Sequence, residues 1–241
     1  MLGTTIKTRY MESISTKKNF SYTFVLLAVL FNVCLIASNL FAVKLFCVFD
    51  RFTFSGAVII FPITYIINDL LAEVYGYRKA RNVIWLGFAM QLCFIVASQL
   101  VLALPGAEFW EGQEAFRYVF GAAPRTALAS LLAFLVGGTL NAFVMSRLKV
   151  ANGGRLFGMR ALASSLVGEI ADSLIFVPIV FFDMGIKVIL MTAACQVVAK
   201  VSYELVILPV TAYIARRLKR HEGEDTFDEG ISYNPFKISD I

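Results

Sequence analysis

The sequence predicts an all-α membrane protein, a bundle of six transmembrane helices with both termini in the cytoplasm. Three observations carry this. Of the 241 residues, 59% are hydrophobic and 16% charged, where soluble domains carry about 25% charged residues; the mean hydropathy is +0.74. Six long apolar runs have the length needed to cross a bilayer. The lysines and arginines between them alternate in density. They cluster at 7–18, 78–81, 147–160 and 216–220, against only Lys44, Arg51, Arg117, Arg125 and Lys187 on the opposite connections. Basic clusters mark cytoplasmic loops, and an even number of spans returns both termini to that side.

Residues 1–19 form a basic cytoplasmic tail, with Lys7, Arg9, Lys17 and Lys18 against Glu12. The first span, Phe20 to Phe46, is too long for a signal-peptide core and shows no cleavage site, so it reads as retained. Asn32 and Asn39 share a face of it, and Lys44 snorkels to the far interface. After a short turn with Asp50 and Arg51, the second span runs from Ser55 to Tyr75. Pro62 inside it frees a backbone carbonyl and favours a kink. The same span carries Asn68, Asp69 and Glu73. A carboxylate at mid-membrane costs about 2.5 kcal/mol or more, so such residues face a protein interior and act there. Asp69 and Glu73, four apart, share a helix face; Glu73, nearer the Arg78–Arg81 cluster, reads as interfacial.

The third span, Asn82–Leu104, has Gln91 and Gln99 as polar members. The connection Pro105–Arg125 sets Glu108, Glu111 and Glu114 beside Trp110, Phe116 and Tyr118, the composition of an interfacial helix or a lid. In the fourth span, Thr126–Leu148, a stripe of Ala129, Ala133, Gly137 and Asn141 invites close helix approach. The fifth, Ala161–Phe182, holds Glu169, Asp172 and Ser173, and the sixth, Gly185–Arg217, repeats Gln196, Lys200 and Glu204 at fourfold spacing. Residues 218–241 read as a polar, acidic, disordered cytoplasmic tail. The transmembrane domain is therefore expected over 20–217.

The polar residues inside the spans are the chemistry. Asp69, Glu73, Glu169, Asp172 and Glu204 stand against one cation, Lys200. A purely structural reading pairs Lys200 with one carboxylate and neutralises the rest by protonation or hydrogen bonds, with Asn32 and Asn141 as interhelical glue. Five acids for one base exceed what a structural pair needs. Asn39, Asn68, Asp69, Glu169, Asp172, Lys200 and Glu204 are the candidate binding residues. The single histidine, His221, lies in the tail, which excludes an HExxH zinc protease and a serine protease with a histidine base. No Walker motif is present, and no cofactor, metal or catalytic set is expected. Cys34, Cys47, Cys93 and Cys195 lack CxxC spacing and read as small hydrophobes. The net charge of +5 sits beside apolar runs and reads as topology, not as a nucleic-acid stripe. A two-aspartate protease built from Asp69 and Asp172 remains an alternative without support from flanking residues. What remains is a net-acidic helix bundle suited to a small, donor-rich solute that is bound and transported. The middle helix of each three-span half carries an acidic pair, a layout that fits an inverted-repeat transporter.

Four stretches carry a resemblance: Ser38-Asn39; Pro62 with Asn68-Asp69-Leu70-Leu71-Ala72-Glu73-Val74-Tyr75-Gly76; Gly168-Glu169-Ile170-Ala171-Asp172-Ser173-Leu174-Ile175-Phe176; and Lys200 with Tyr203-Glu204 and Pro209. Over residues 20–217 the chain resembles the bacterial queuosine-precursor transporter family. The resemblance implies a six-helix inner-membrane protein, similar in size to the substrate-binding subunits of vitamin importers. It also implies uptake of 7-deazaguanine bases (preQ0, preQ1 or queuine) for tRNA modification. On that reading Glu169 or Asp172 reads the base edge, and Asp69 meets an amine or a coupling proton. Asn39 binds the carbonyl, Lys200 keeps a carboxylate charged, and Tyr65 or Phe176 stacks on the ring. The expected partners are the base and the lipid bilayer, with no nucleic acid bound directly; a homo-oligomer and ATPase partners stay open.

Overall fold

Six of the helices are long and apolar enough to cross a membrane. The computed structural model describes residues 21–41, 44–48, 52–121, 124–180, 182 and 185–237; the basic stretch 1–19 lies outside them. In chain order the elements are α1 (Tyr22–Phe41), strands β1 (Leu45–Val48) and β2 (Phe52–Ser55), α2 (Ala57–Tyr75), α3 (Tyr77–Ala103), α4 (Gln113–Phe120), α5 (Pro124–Ala151), α6 (Phe157–Val180) and α7 (Ile186–Glu222). All but α4 span. The Ser21 hydroxyl starts α1 by accepting the Phe24 N–H at 3.0 Å, a side-chain cap.

Where a short turn was expected, β1 and β2 pair antiparallel, with Leu45 opposite Ser55 and Val48 opposite Phe52. Aromatic and β-branched residues on both sides favour strands, so the first span stops at Phe41 rather than Phe46. The Gly56 N–H closes the hairpin on the Lys44 carbonyl at 2.8 Å.

The central helix is α2, which packs on α1, α3, α5 and α7. From Thr64 to Tyr75 nearly every residue is buried, as expected for a helix covered on all sides. Gly76, at φ +84°, adopts a backbone conformation that a side chain disfavours. It joins α2 directly to α3, so Arg78, Lys79 and Arg81 lie in the first turns of a helix beginning at Tyr77, ahead of the expected Asn82. α5 and α6 form the closest pair. A Cβ on Gly137 would stand 2.7 Å from the Gly168 carbonyl oxygen, and one on Gly168 would stand 2.8 Å from the Gly137 oxygen. Ala129, Ala133 and Asn141 are buried on the same stripe, which is the close approach that small residues permit. The two halves are not packed alike: α1 packs on α3, whereas α5 and α7 scarcely touch.

α4 lies on the outside of the bundle, packed against a single helix. None of its residues is buried, it packs on α3, and Gln99 Nε2 donates to the Phe120 carbonyl at 3.0 Å. It stands at the hairpin end of the bundle, away from the polar interior.

The opposite, basic end departs most from expectation. α7 continues to Glu222, closed by Gly223 in the left-handed region, whose N–H meets the Lys219 carbonyl at 3.0 Å. Residues 223–237 then fold back as a strap across the bundle end instead of forming a disordered tail. Thr226 N donates to Val74 O at 3.1 Å. Asp228 Oδ2 accepts the Tyr77 N–H at 2.8 Å, giving α3 the side-chain cap that Gly76 lacks. Arg81 donates to Asn234 O and Trp85 to Pro235 O, each at 2.8 Å. The strap stays because it supplies acceptors for buried donors and inserts Phe227, Tyr233 and Phe236 among Lys149, Tyr77 and Trp85.

Candidate functional site

Four helices bring the polar residues together. α6 presents Ser165, Gly168, Glu169 and Asp172 on adjacent turns of one face, because residues three and four apart are neighbours on a helix surface. α7 lays Lys200 and Glu204 against it, one turn apart. α2 contributes Phe61, Tyr65, Asn68 and Asp69, and α5 contributes Gly137 and Asn141.

Lys200 Nζ lies 2.6 Å from Glu169 Oε2 and 2.7 Å from Asp172 Oδ2. The Asp172 contact is a directed hydrogen bond. The Glu169 contact is an ion pair of poorer hydrogen-bond alignment. The ammonium also sits 4.6 Å from the centroid of the Phe61 ring, an attraction that grows as water is excluded. Asn68 Nδ2 donates to Asn141 Oδ1 at 2.6 Å and to the Gly138 carbonyl at 2.9 Å. Asn141 Nδ2 donates in turn to Ser165 Oγ at 3.2 Å. Ser164 Oγ donates to Asp69 Oδ1 at 3.4 Å, and Ser165 is within hydrogen-bonding reach of Glu204.

Asp69, Glu169, Asp172 and Glu204 are all buried, at 1, 2, 5 and 6% exposure, with Lys200 the cation among them. Removing several charges from water is expensive unless they are paired. The cluster is therefore electrically unfinished. Several of its atoms also lack a partner: Tyr65 OH, Asn68 Oδ1, Ser173 Oγ and Glu204 Oε1. Buried polar groups are normally hydrogen-bonded, so this set is built to receive donors from a solute or protons. No group of three metal-ligating side chains suited to an ion occurs among the described residues.

Of the seven candidate residues, six meet here. Asn39 does not: its amide oxygen accepts from Ser130 Oγ at 2.8 Å on α5. Ser130 is two helical turns, roughly 10 Å, from Gly137 toward the hairpin end. The two-aspartate arrangement is not formed, since Asp69 meets Ser164 while Asp172 meets Lys200. The sequence reading passed over Phe61, Ser164 and Ser165. Ser165 was detectable, because it stands three and seven residues before Gly168 and Asp172 on one helical face.

Glu73 belongs to a second cluster at the basic end and not to the Arg78–Arg81 group. Arg160 grips its carboxylate bidentately through both terminal nitrogens, Lys219 reaches it at 2.5 Å, and Lys149 donates to its backbone carbonyl. Asp225 of the strap binds Lys149 at 2.5 Å and Lys219 at 2.9 Å. Partial burial pushes the Asp225 carboxyl up, and the two ammonium groups more than offset this, leaving its pKa below the ordinary value. A cavity of about 350 Å³ opens beside Glu73, between Phe157 of α6 and Ala212, Arg216 and Lys219 of α7. A second, of about 280 Å³, lies at the other end beneath Trp110 and Phe116. The mid-bundle carboxylates lie between these two ends.

Comparison with known proteins follows the same helices. The profile of a family described as "Putative vitamin uptake transporter" matches residues 55–214. The "Probable queuosine precursor transporter" of Bacillus subtilis (strain 168) is 32% identical over 157 residues, 63% of this chain and 66% of that protein. The "Queuosine precursor transporter" of Escherichia coli (strain K12) is 28% identical over 153 residues, 64% of this chain and 66% of that protein. A similar protein of Haemophilus influenzae is 25% identical over 123 residues, half of each chain. The matched stretches thus span just under two thirds of the length of the first two relatives. No solved structure matches the chain. The family match runs from the second span to the sixth and includes every residue of the mid-bundle cluster, and the chain belongs to that family of vitamin uptake transporters.

Proposed function

We propose that this protein is a multi-pass transporter of the bacterial inner membrane that imports queuosine precursors, the 7-deazaguanine bases preQ0, preQ1 or queuine, for tRNA modification. The observation that carries the reading is the buried cluster of four carboxylates around one lysine, with acceptor atoms left without donors. The names of the relatives support the substrate class. A deazaguanine presents adjacent N–H donors on its pyrimidine edge, and a carboxylate accepts two at once. PreQ1 and queuine add an amine, cationic at neutral pH, which a second carboxylate neutralises. Six helices around a buried polar centre, with a cavity at each end, suit a protein that carries solute rather than transforms it.

Orientation belongs to the same proposal. The basic clusters of α3, α5, α6 and α7 converge on the strap end. Placing that end in the cytoplasm obeys the bias of lysine and arginine toward the inner face.

The test uses a bacterium lacking queuosine synthesis and its own importer, with salvage enzymes matched to each base. The chain is expressed there, one base is supplied at nanomolar concentration, and queuosine is assayed in tRNA. Restoration with a single base establishes transport and names the substrate. No restoration with any base, while the protein is present in the membrane, refutes the proposal. Uptake by the purified chain in liposomes shows that it needs no ATPase partner.

A further inference from the structure

The four buried carboxylates are not equivalent. Glu169 and Asp172 both face the Lys200 ammonium, so their acceptor capacity is already directed at a cation. Asp69 accepts from Ser164 Oγ and lies within hydrogen-bonding reach of Asn141, boxed in by three helices. Glu204 has neither a cation nor a complete set of donors: it is 6% exposed, and its Oε1 meets no hydrogen-bond partner.

Glu204 nevertheless stands at the end of a chain of polar side chains. Asn68 gives one amide hydrogen to Gly138 O at 2.9 Å and the other to Asn141 Oδ1 at 2.6 Å. Asn141 passes a hydrogen on to Ser165 Oγ at 3.2 Å. With its oxygen accepting from Asn141, the Ser165 hydroxyl keeps its own hydrogen for the Glu204 carboxylate within reach. Donors therefore run in one direction, α2 to α5 to α6, and the last of them, the Ser165 hydroxyl, stands beside Glu204 of α7. Neutral donors orient a carboxylate without offsetting its charge, whereas the Lys200 ammonium is shared between Glu169 and Asp172.

We propose that Glu204 is the residue that reads the donor edge of the solute, with Asn68, Asn141 and Ser165 as its positioning residues. This rests on the transport reading above and deepens it. The complementary ligand is a planar heterocycle with a ring N–H beside an exocyclic amino group. Glu204 Oε1 takes one of these donors, and the second carboxylate oxygen takes the other.

The experiment compares two bases on the purified full chain in nanodiscs by calorimetry. 7-Deazaguanine carries both donors; 7-deazahypoxanthine has the same ring and carbonyl without the amino group. The native chain is expected to prefer the first by about ten- to a hundredfold, the range for one hydrogen bond to a charged group. Glu204→Gln is expected to reduce the preference to about twofold or less, since an amide has one oxygen acceptor where the carboxylate had two. The ratio between two ligands is a readout that loss of packing alone does not move. Should Glu204→Gln fail to fold, Glu204→Asp and Ser165→Ala are measured for the same ratio, and both are expected to lower it. A native chain that binds neither base overturns the transport reading itself. A native chain that binds both equally, or variants that keep the native ratio, overturn the role of Glu204 and leave that reading standing.

Discussion

Replacing Glu73 by glutamine tests whether the ion cluster at the basic end fastens α2 to α6 and α7. In the native chain the Glu73 carboxylate and the Arg160 guanidinium are both about 1% exposed, and Lys219 adds a contact at 2.5 Å. Removing one partner of a buried pair costs about 3–5 kcal/mol, chiefly because the other charge stays behind without compensation. Two features place this case at the lower end. Lys219 is 21% exposed and already touches Asp225 at 2.9 Å, so it retains a partner. Arg160 keeps its bonds to the carbonyls of Arg155 and Gly154, and the cavity of about 350 Å³ lined by Glu73 is large enough to admit water. The expected loss for Glu73→Gln is therefore about 3 kcal/mol, read by reversible unfolding in mixed micelles. The double variant Glu73→Gln/Arg160→Gln should be less destabilised than the sum of the two single changes, by about 1–3 kcal/mol, as for residues in direct contact. A loss below about 1 kcal/mol with additive single effects would refute the reasoning, because exposed pairs behave that way.

Two further expectations concern packing and the strap. In Gly137→Ala the new methyl stands 2.7 Å from both the Gly168 carbonyl oxygen and the Tyr65 hydroxyl; the backbone oxygen cannot yield without parting α5 from α6. A loss of about 1–3 kcal/mol is expected, as for overpacked cores, and unchanged thermal stability would contradict the close crossing. Asp228→Ala strips the Tyr77 N–H and the Ser146 hydroxyl of their acceptor. It should cost about 1–3 kcal/mol and make residues 223–237 sensitive to limited proteolysis at native temperature. Unaltered protease resistance would show that Asp228 does not hold the strap.

How much of this was legible in the sequence depends on the range of each interaction. The α5 stripe was readable because spacing along one helix fixes a face. Lys200 was readable as a carboxylate partner because it is the single cation within an acidic interior. Glu73 was legible as lying at the basic end, but its partners were not, because its nearest basic residues in sequence are not those nearest in space: Arg160 is 87 residues away and Lys219 is 146. The acidic tail was read as disordered from composition alone, since nothing local reveals that Asp228 caps a helix beginning 151 residues earlier. Asn39, grouped with the cluster by its polarity, proved to serve α1 and α5.

The sequence by itself determined that there are six spans, their order and the acidity of the interior. Each follows from a local rule: a run of some 20 apolar residues has one stable place, across a bilayer, and a charged residue within it must face protein. The tertiary structure alone decided how the acids are divided. Lys200 takes Glu169 and Asp172, Arg160 takes Glu73, and Glu204 keeps an unmet oxygen. That division is set by which helices cross and at what depth, a property of packing between distant segments that no window of sequence contains.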